Sequence, residues 1–204
     1  MICHKYKGIF TAIPKTGTST IRRVLKKKDW EFISKLRGGK HPYKQHDRVI
    51  DQQRYFQKHN YDYSSYFKFA FVRNPWERCL SAHRWFIQND DLGNIPFRKF
   101  MHTYFSEPSL QSCTRRYFQK MDLQKNWITD GDDKIIIDFI GRFENLQEDF
   151  NTICDRIGIP KQQLPHRNKT NHKHYTEYYD GETRQIVAEK YAKDIEMFGY
   201  KFGE

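Results

Sequence analysis

The sequence predicts an α/β protein, a single domain over residues 1–204 with a mainly parallel central sheet, and three observations carry that reading. Apolar runs of strand length occur at residues 8–13, 67–72 and 135–140. Each is followed, directly or after a turn, by a segment whose apolar residues recur at helical spacing. No internal repeat, low-complexity tract or Gly/Ser/Pro linker divides the 204 residues. A length of this order suits one core of ordinary size.

In chain order, the first strand (8–13) runs into Pro14-Lys15-Thr16-Gly17-Thr18-Ser19-Thr20 and then a basic helix through Ile21, Val24 and Leu25. Residues 34–50, rich in Gly, Lys and His, are expected to form a loop leading into another helix. The strand at 67–72 is apolar nearly throughout, as expected of a strand covered on both faces. After it, Asn74 suits an N-cap, Pro75 the first helical position, and Glu77 the third position of a capping box. Trp76, Leu80, His83 and Ile87 continue that helix. The run at 135–140 is expected to be a third buried strand. Leu146, Phe150, Ile153 and Ile157 mark one helix face, ended by Gly158 and Pro160. A last helix carries Val187, Tyr191, Ile195 and Phe198 on one face and stops at Gly199.

Composition narrows the class. Tyr, Phe and Trp number 33 while Ile, Leu and Val together reach only 30, so the core is expected to be built from rings, and disorder is excluded. No run approaches the roughly 18 apolar residues of a membrane span, and no signal-peptide region follows Met1. Cys3, Cys79, Cys113 and Cys154 show no CxxC spacing and read as reduced thiols of a cytoplasm-like compartment. The net charge of +11 is confined to one region. Residues 1–60 hold 15 Lys/Arg against 4 Asp/Glu, and residues 61–204 hold 21 of each. A one-sided balance of this kind points to an anionic partner.

Ligands of parallel sheets bind beyond the carboxyl ends of the strands, so the two turns after the first strands are the places to look. In the first, a strand entering a helix through Lys15, Thr16, Gly17, Thr18, Ser19 and Thr20 sets backbone N–H groups at a positive helix end, with a mobile charge on Lys15 and hydroxyls alongside. That is a cradle for phosphate or sulfate. It is not a Walker A loop, because GxxxxGK[ST] puts its Lys after the glycine loop and here Lys15 precedes Gly17. In the second, Arg73 stands at a strand end, where its guanidinium can fork onto a phosphate or pair with a nearby carboxylate. Two such turns make a ligand with two anionic groups plausible.

Together, IPKTGTST and FVRNPWERCLSAHRWF resemble the motifs of the sulfotransferases, in particular the carbohydrate (family 2) branch. The likeness extends to Lys40-His41, to the stretch from Ile140 to Leu146, to His166-Arg167-Asn168-Lys169-Thr170, and to the tail from Tyr191 to Tyr200, and so covers nearly the whole chain. On this reading the sequence departs from Golgi members, in which an N-terminal membrane anchor is common, and a Golgi setting is not expected. The resemblance implies a P-loop-like three-layer sandwich and the donor 3′-phosphoadenosine-5′-phosphosulfate (PAPS), with no metal. Lys15, Thr16, Gly17, Thr18, Ser19 and Thr20 would hold the 5′-phosphosulfate, and Arg73 and Ser81 the 3′-phosphate. The acceptor would be a hydroxyl of a carbohydrate or related molecule, with the basic region suited to an acidic one, and nucleic acid is not the expected partner.

By the same resemblance, Lys15 would stabilise charge on the leaving oxygen. A histidine between the two motifs would act as base, with His41 as the choice and His46 and His59 as competitors. Glu77 is the weaker candidate because its capping position gives it a structural task. Two other functions are weighed against transfer. A P-loop-type nucleotide-dependent kinase suffers from the Lys order and from the absence of a convincing Mg²⁺ carboxylate, since Asp138 after Ile135-Ile136-Ile137 leads into more apolar residues. A non-enzymatic polyanion-binding protein would bind through residues 1–60 with a steep dependence on salt. His166, His172 and His174 match no common metal-ligand spacing, and Asp130-Gly131-Asp132-Asp133 reads as a solvated turn.

Overall fold

The computed structural model describes residues 1–26, 29–31, 46–88, 93–106, 121–165 and 173–204. The chain divides into two compact units, Met1–Val72 with Gln124–Arg167, and Arg73–Leu123 with Asn168–Glu204.

The first unit is built on a four-stranded sheet in the order β1 (Ile2–Cys3), β2 (Gly8–Thr11), β3 (Phe67–Val72), β4 (Phe139–Arg142). β1 is antiparallel to β2, whereas β2–β3 and β3–β4 are parallel, with Phe10 opposite Phe69 and Ala70 opposite Ile140. Side chains alternate across a strand, and the sheet is covered on both faces. Phe10, Phe69 and Phe71 pack with Ile21, Val24 and Leu25 of α1 (Thr18–Leu25) and with Phe150 and Ile153 of α5 (Leu146–Ile157). Ile2 and Ile9 pack with Tyr55 and Phe56 of α2 (Val49–Lys58). This is the expected layering of helices on both sides of a mainly parallel sheet. Rings dominate it, with Phe10 stacked on Phe69 at 5.3 Å and Trp30 edge-on to Phe69 at 5.8 Å. At Gly141 a Cβ would lie 2.5 Å from the Phe71 ring, so only glycine lets β4 lie against that side chain.

The strand expected at 135–140 is corrected. The ladder begins only at Phe139, and Ile135 is 39% exposed. The cause is the turn before it. Asp130 Oδ1 accepts from the N–H groups of Asp132 and Lys134, and Asp130 N–H donates to the Lys134 carbonyl at 2.9 Å. The chain therefore folds back, pairing Ile135 with Thr129 and Ile136 with Ile128. Asp138 then takes the Lys68 N–H at 2.7 Å and the Lys68 ammonium at 2.8 Å, so its carboxylate is a clasp between β3 and the start of β4. The first strand is also shorter than expected, ending at Thr11 with Ala12 and Ile13 buried beyond it.

The second unit comprises α3 (Pro75–Gln88), α4 (Phe97–Met101), α6 (Gly181–Lys190) and α7 (Ala192–Phe198) around Trp76, Leu80, Phe86, Phe97, Phe100 and Tyr191. The single last helix expected from spacing is two. Tyr191 leaves helical geometry at φ −108° and ψ 22°, anchored by its hydroxyl on the Met121 carbonyl at 2.6 Å. Gly158 and Gly199 end α5 and α7 in the left-handed region, as expected.

Candidate active site

The turn after β2 is shaped by one glycine. Gly17 sits at the head of α1 with φ 78°, and a Cβ there would stand 3.1 Å from Leu146 and from Phe143. Left-handed geometry and lack of room both require glycine. Gly17 is the N-cap and has no side chain to cap the helix, so α1 opens with backbone donors and the positive end of its dipole. Lys15 is also left-handed, at φ 70°, an unfavourable state for a lysine that is typical of functional turns. The hydroxyls of Thr16 and Thr18 are turned inward, donating to the Ile13 carbonyl at 2.9 and 2.5 Å. They hold the turn's shape, while Ser19 is exposed and Thr20 half-buried at its mouth.

The turn after β3 is closed by side chains. Asn74 accepts the Trp76 N–H on Oδ1 at 3.1 Å, and its amide donates to the Lys201 carbonyl at 2.9 Å and to Tyr175 Oη at 3.3 Å. Glu77, at the third position of the expected capping box, pairs with Arg73 at 2.9 Å. Ser81 is half-buried one turn further along α3. Lys15–Thr20, expected to hold a phosphosulfate, lie in the first unit, and Arg73 and Ser81 lie in the second.

Of the three candidate bases, His41 lies outside the described residues. His59 caps the C-terminal end of α2, exposed, tilted against Tyr55 (4.5 Å) and stacked on Tyr61 (6.0 Å). His46 is held at the end of β2, where its Nδ1–H donates to the Ala12 carbonyl at 2.6 Å. That bond puts the neutral ring in the tautomer whose lone pair is on Nε2. Arg22 Nη2 lies 3.5 Å from the same ring nitrogen, and burial lowers the Arg22 pKa to about 10 against the opposing pull of Asp47.

The sequence model of the Sulfotransferase family matches residues 1–201. The chain belongs to this family. An uncharacterized protein of Archaeoglobus fulgidus is 31% identical over 100 residues, covering 49% of this chain and 74% of that one. A crystal structure of a sulfotransferase from Alicyclobacillus acidocaldarius is similar at 16% identity with a TM-score of 0.37, over 71% of this chain. The chain spans 56% of that protein's length.

Family membership bears out the resemblance read from the two motifs. Asp138, the one residue that had suggested a nucleotide-kinase carboxylate, is engaged with Lys68. His174 bonds Thr176 at 2.8 Å, while Lys40, His166, Arg167, Lys169 and His172 lie outside the described residues. Among the described residues no helix is long and apolar enough to cross a membrane. One feature of this sulfotransferase-family chain had no signal in spacing, the approach of Trp127 to His46, with rings 6.0 Å apart, across 81 positions of sequence. The Arg73–Glu77 pair settles the alternative that Arg73 pairs with a nearby carboxylate.

Proposed function

We propose that the protein transfers the sulfuryl group of PAPS to a hydroxyl of a carbohydrate or related acceptor, with residues 1–204 acting as one catalytic domain. The observation that carries this reading is the Gly17 turn. Its left-handed backbone, closed to any Cβ, brings the start of α1 against a tetrahedral anion beside Lys15.

In this reading the base removes the acceptor hydroxyl proton as that oxygen attacks sulfur in line. The bond between sulfur and the 5′-phosphate oxygen breaks, and the electron pair leaves with 3′-phosphoadenosine-5′-phosphate (PAP). Lys15 stabilises the charge that develops on the leaving oxygen. The backbone of Thr16, Gly17 and Thr18, with Ser19 and Thr20, holds the phosphosulfate, and Arg73 and Ser81 hold the 3′-phosphate. No metal is needed for these roles. Sequence favours His41 as base, and the described geometry supports His46, whose Nδ1–H···O=C bond aims a lone pair from Nε2. Among the described residues Cys3, Cys79 and Cys154 are buried thiols, which supports a reducing compartment.

PAP should raise the melting temperature without Mg²⁺ and by more than ATP with Mg²⁺. If only ATP with Mg²⁺ stabilised the fold, the sulfotransferase reading would fail. Lys15→Ala should lose turnover with labelled PAPS while keeping its fold. Of His41→Ala and His46→Ala, the one that abolishes transfer while PAP still binds identifies the base.

A further inference from the structure

The second unit carries a groove of about 840 Å³ along α6 and α7, and no step of the proposed transfer uses it. Helical spacing builds its floor. α6 buries Thr183 and Val187 and presents Arg184 and Ala188 to the groove, while α7 adds Ala192 and Ile195. The small side chains leave the space open, and a volume of this order suits one small organic molecule. One wall is made of rings and is set before any ligand arrives. Phe202 meets Trp76, Tyr175 and Tyr179 edge-on, each at 5.6 Å, and the Trp76 indole N–H donates to the Arg184 carbonyl at 3.0 Å.

The charges on this lining point to the kind of ligand. Arg184 and Lys201 supply two cations against one carboxylate, Glu196. The Arg184 guanidinium lies over the Phe202 ring at 4.6 Å. Among the described residues neither Arg184 nor Lys201 is paired with a carboxylate, and no acceptor meets the Arg184 side-chain N–H groups. Arg98 and Lys173 of the same unit are paired, Arg98 with Asp180 and Glu182 and Lys173 with Glu177. An arginine resting on an aromatic face keeps the edge of its guanidinium for a carboxylate or sulfate. An apolar floor beside unspent cations complements a molecule with an apolar body and an anionic group.

We infer that this groove is a binding site for a small organic anion, an aromatic or alicyclic body bearing a carboxylate or sulfate-like group. Arg184 and Lys201 take the anionic group, and Ala188, Ala192 and Ile195 take the apolar body. The inference is independent of the proposed transfer reaction.

The test titrates two fluorescent probes into the full chain, 8-anilinonaphthalene-1-sulfonate and N-phenyl-1-naphthylamine, which has the same rings without the sulfonate. Wild type should bind the sulfonate at a single site, about tenfold or more tighter than the neutral amine, because charge-assisted hydrogen bonds add to the same apolar contact. In the double variant R184Q/K201Q that ratio should collapse toward one through loss of sulfonate affinity, with the neutral amine little changed. Arg184→Lys alone should fall between, because it keeps the charge and loses the fork. Ala188→Phe should weaken both probes by filling the floor. Melting curves of each variant separate lost binding from lost folding, and Arg184→Lys and Ala188→Phe decide the matter if the double variant does not fold. Saturating PAP should leave the sulfonate affinity unchanged. No saturable binding, equal affinities in wild type, a preserved ratio in R184Q/K201Q, or displacement of the probe by PAP overturns the inference.

Discussion

Two turns of the same kind, each leading from a parallel strand into a helix, are finished in opposite ways. After β2 the helix begins at a glycine with no capping side chain, and the two nearby threonine hydroxyls brace the Ile13 carbonyl. After β3 the helix begins under Asn74, which satisfies Trp76 N–H, and the Arg73 guanidinium is already paired with Glu77. In the proposed reading the first turn offers a ligand its backbone, and the second offers the Arg73 side chain, held by Glu77. A backbone site tolerates almost no substitution at its glycine, whereas a side-chain site separates stability from binding. That difference gives measurements that can break it.

The largest effect is expected at Gly17. Gly17→Ala places a Cβ at φ 78° and 3.1 Å from Leu146 and Phe143. The left-handed penalty alone is about 1–2 kcal/mol. The Leu146 and Phe143 side chains must also give by a few tenths of an ångström, or the turn shifts and its amides are misplaced. The melting temperature should fall modestly, and the stabilisation by PAP should vanish. A variant that PAP stabilised as well as it does wild type would show that the first turn is not a backbone cradle.

Asn74→Ala tests the second turn and should act on stability. Loss of an N-cap costs about 0.5–2 kcal/mol. Asn74 also ties the helix start to Tyr175 and to the Lys201 carbonyl, so the upper part of that range is expected in urea unfolding. PAP affinity of the folded fraction should change less than threefold, because Arg73 keeps Glu77. A large loss of affinity with little loss of stability would mean that the two turns work alike.

How much of this was legible in the sequence depended on the range of the interaction. Gly17, Asn74, Gly158 and Gly199 were readable because a cap or a left-handed residue is a local signal, decided within a few positions. The layered parallel sheet was readable from apolar run length. The strand at 135–140 was misread because three consecutive isoleucines resemble a buried strand, while the Asp130 turn that sends Ile135 back along Thr129 leaves no mark on hydropathy. The break at Tyr191 was hidden because its N–H still reaches Val187 and its carbonyl still takes Ile195, so the helical spacing survives the kink. Trp127 beside His46, and Glu77 paired with Arg73, are choices among contacts that pattern alone leaves open.

The smallest effect separates the helices that follow the two turns by their response to acid. α3 carries His83, buried between Phe97 and Phe100, with Nε2–H donating to the Ile95 carbonyl at 2.7 Å. Burial lowers its pKa below the ordinary 6.5, and the nearby Arg84 acts in the same direction. The unfolded chain therefore binds the proton first. As pH falls below 6.5 the unfolded state gains protons that the folded state refuses, so stability present at neutral pH is lost toward acid. The loss cannot exceed about 1.4 kcal/mol for each pH unit between the two pKa values. His83→Gln keeps a donor for Ile95 and removes the titration. In urea unfolding at pH 7.5 and 5.5, wild type should lose more stability than this variant by a fraction of that limit. An equal loss in both would mean that His83 is charged within its aromatic pocket, and that the acid sensitivity of the second unit lies with other groups.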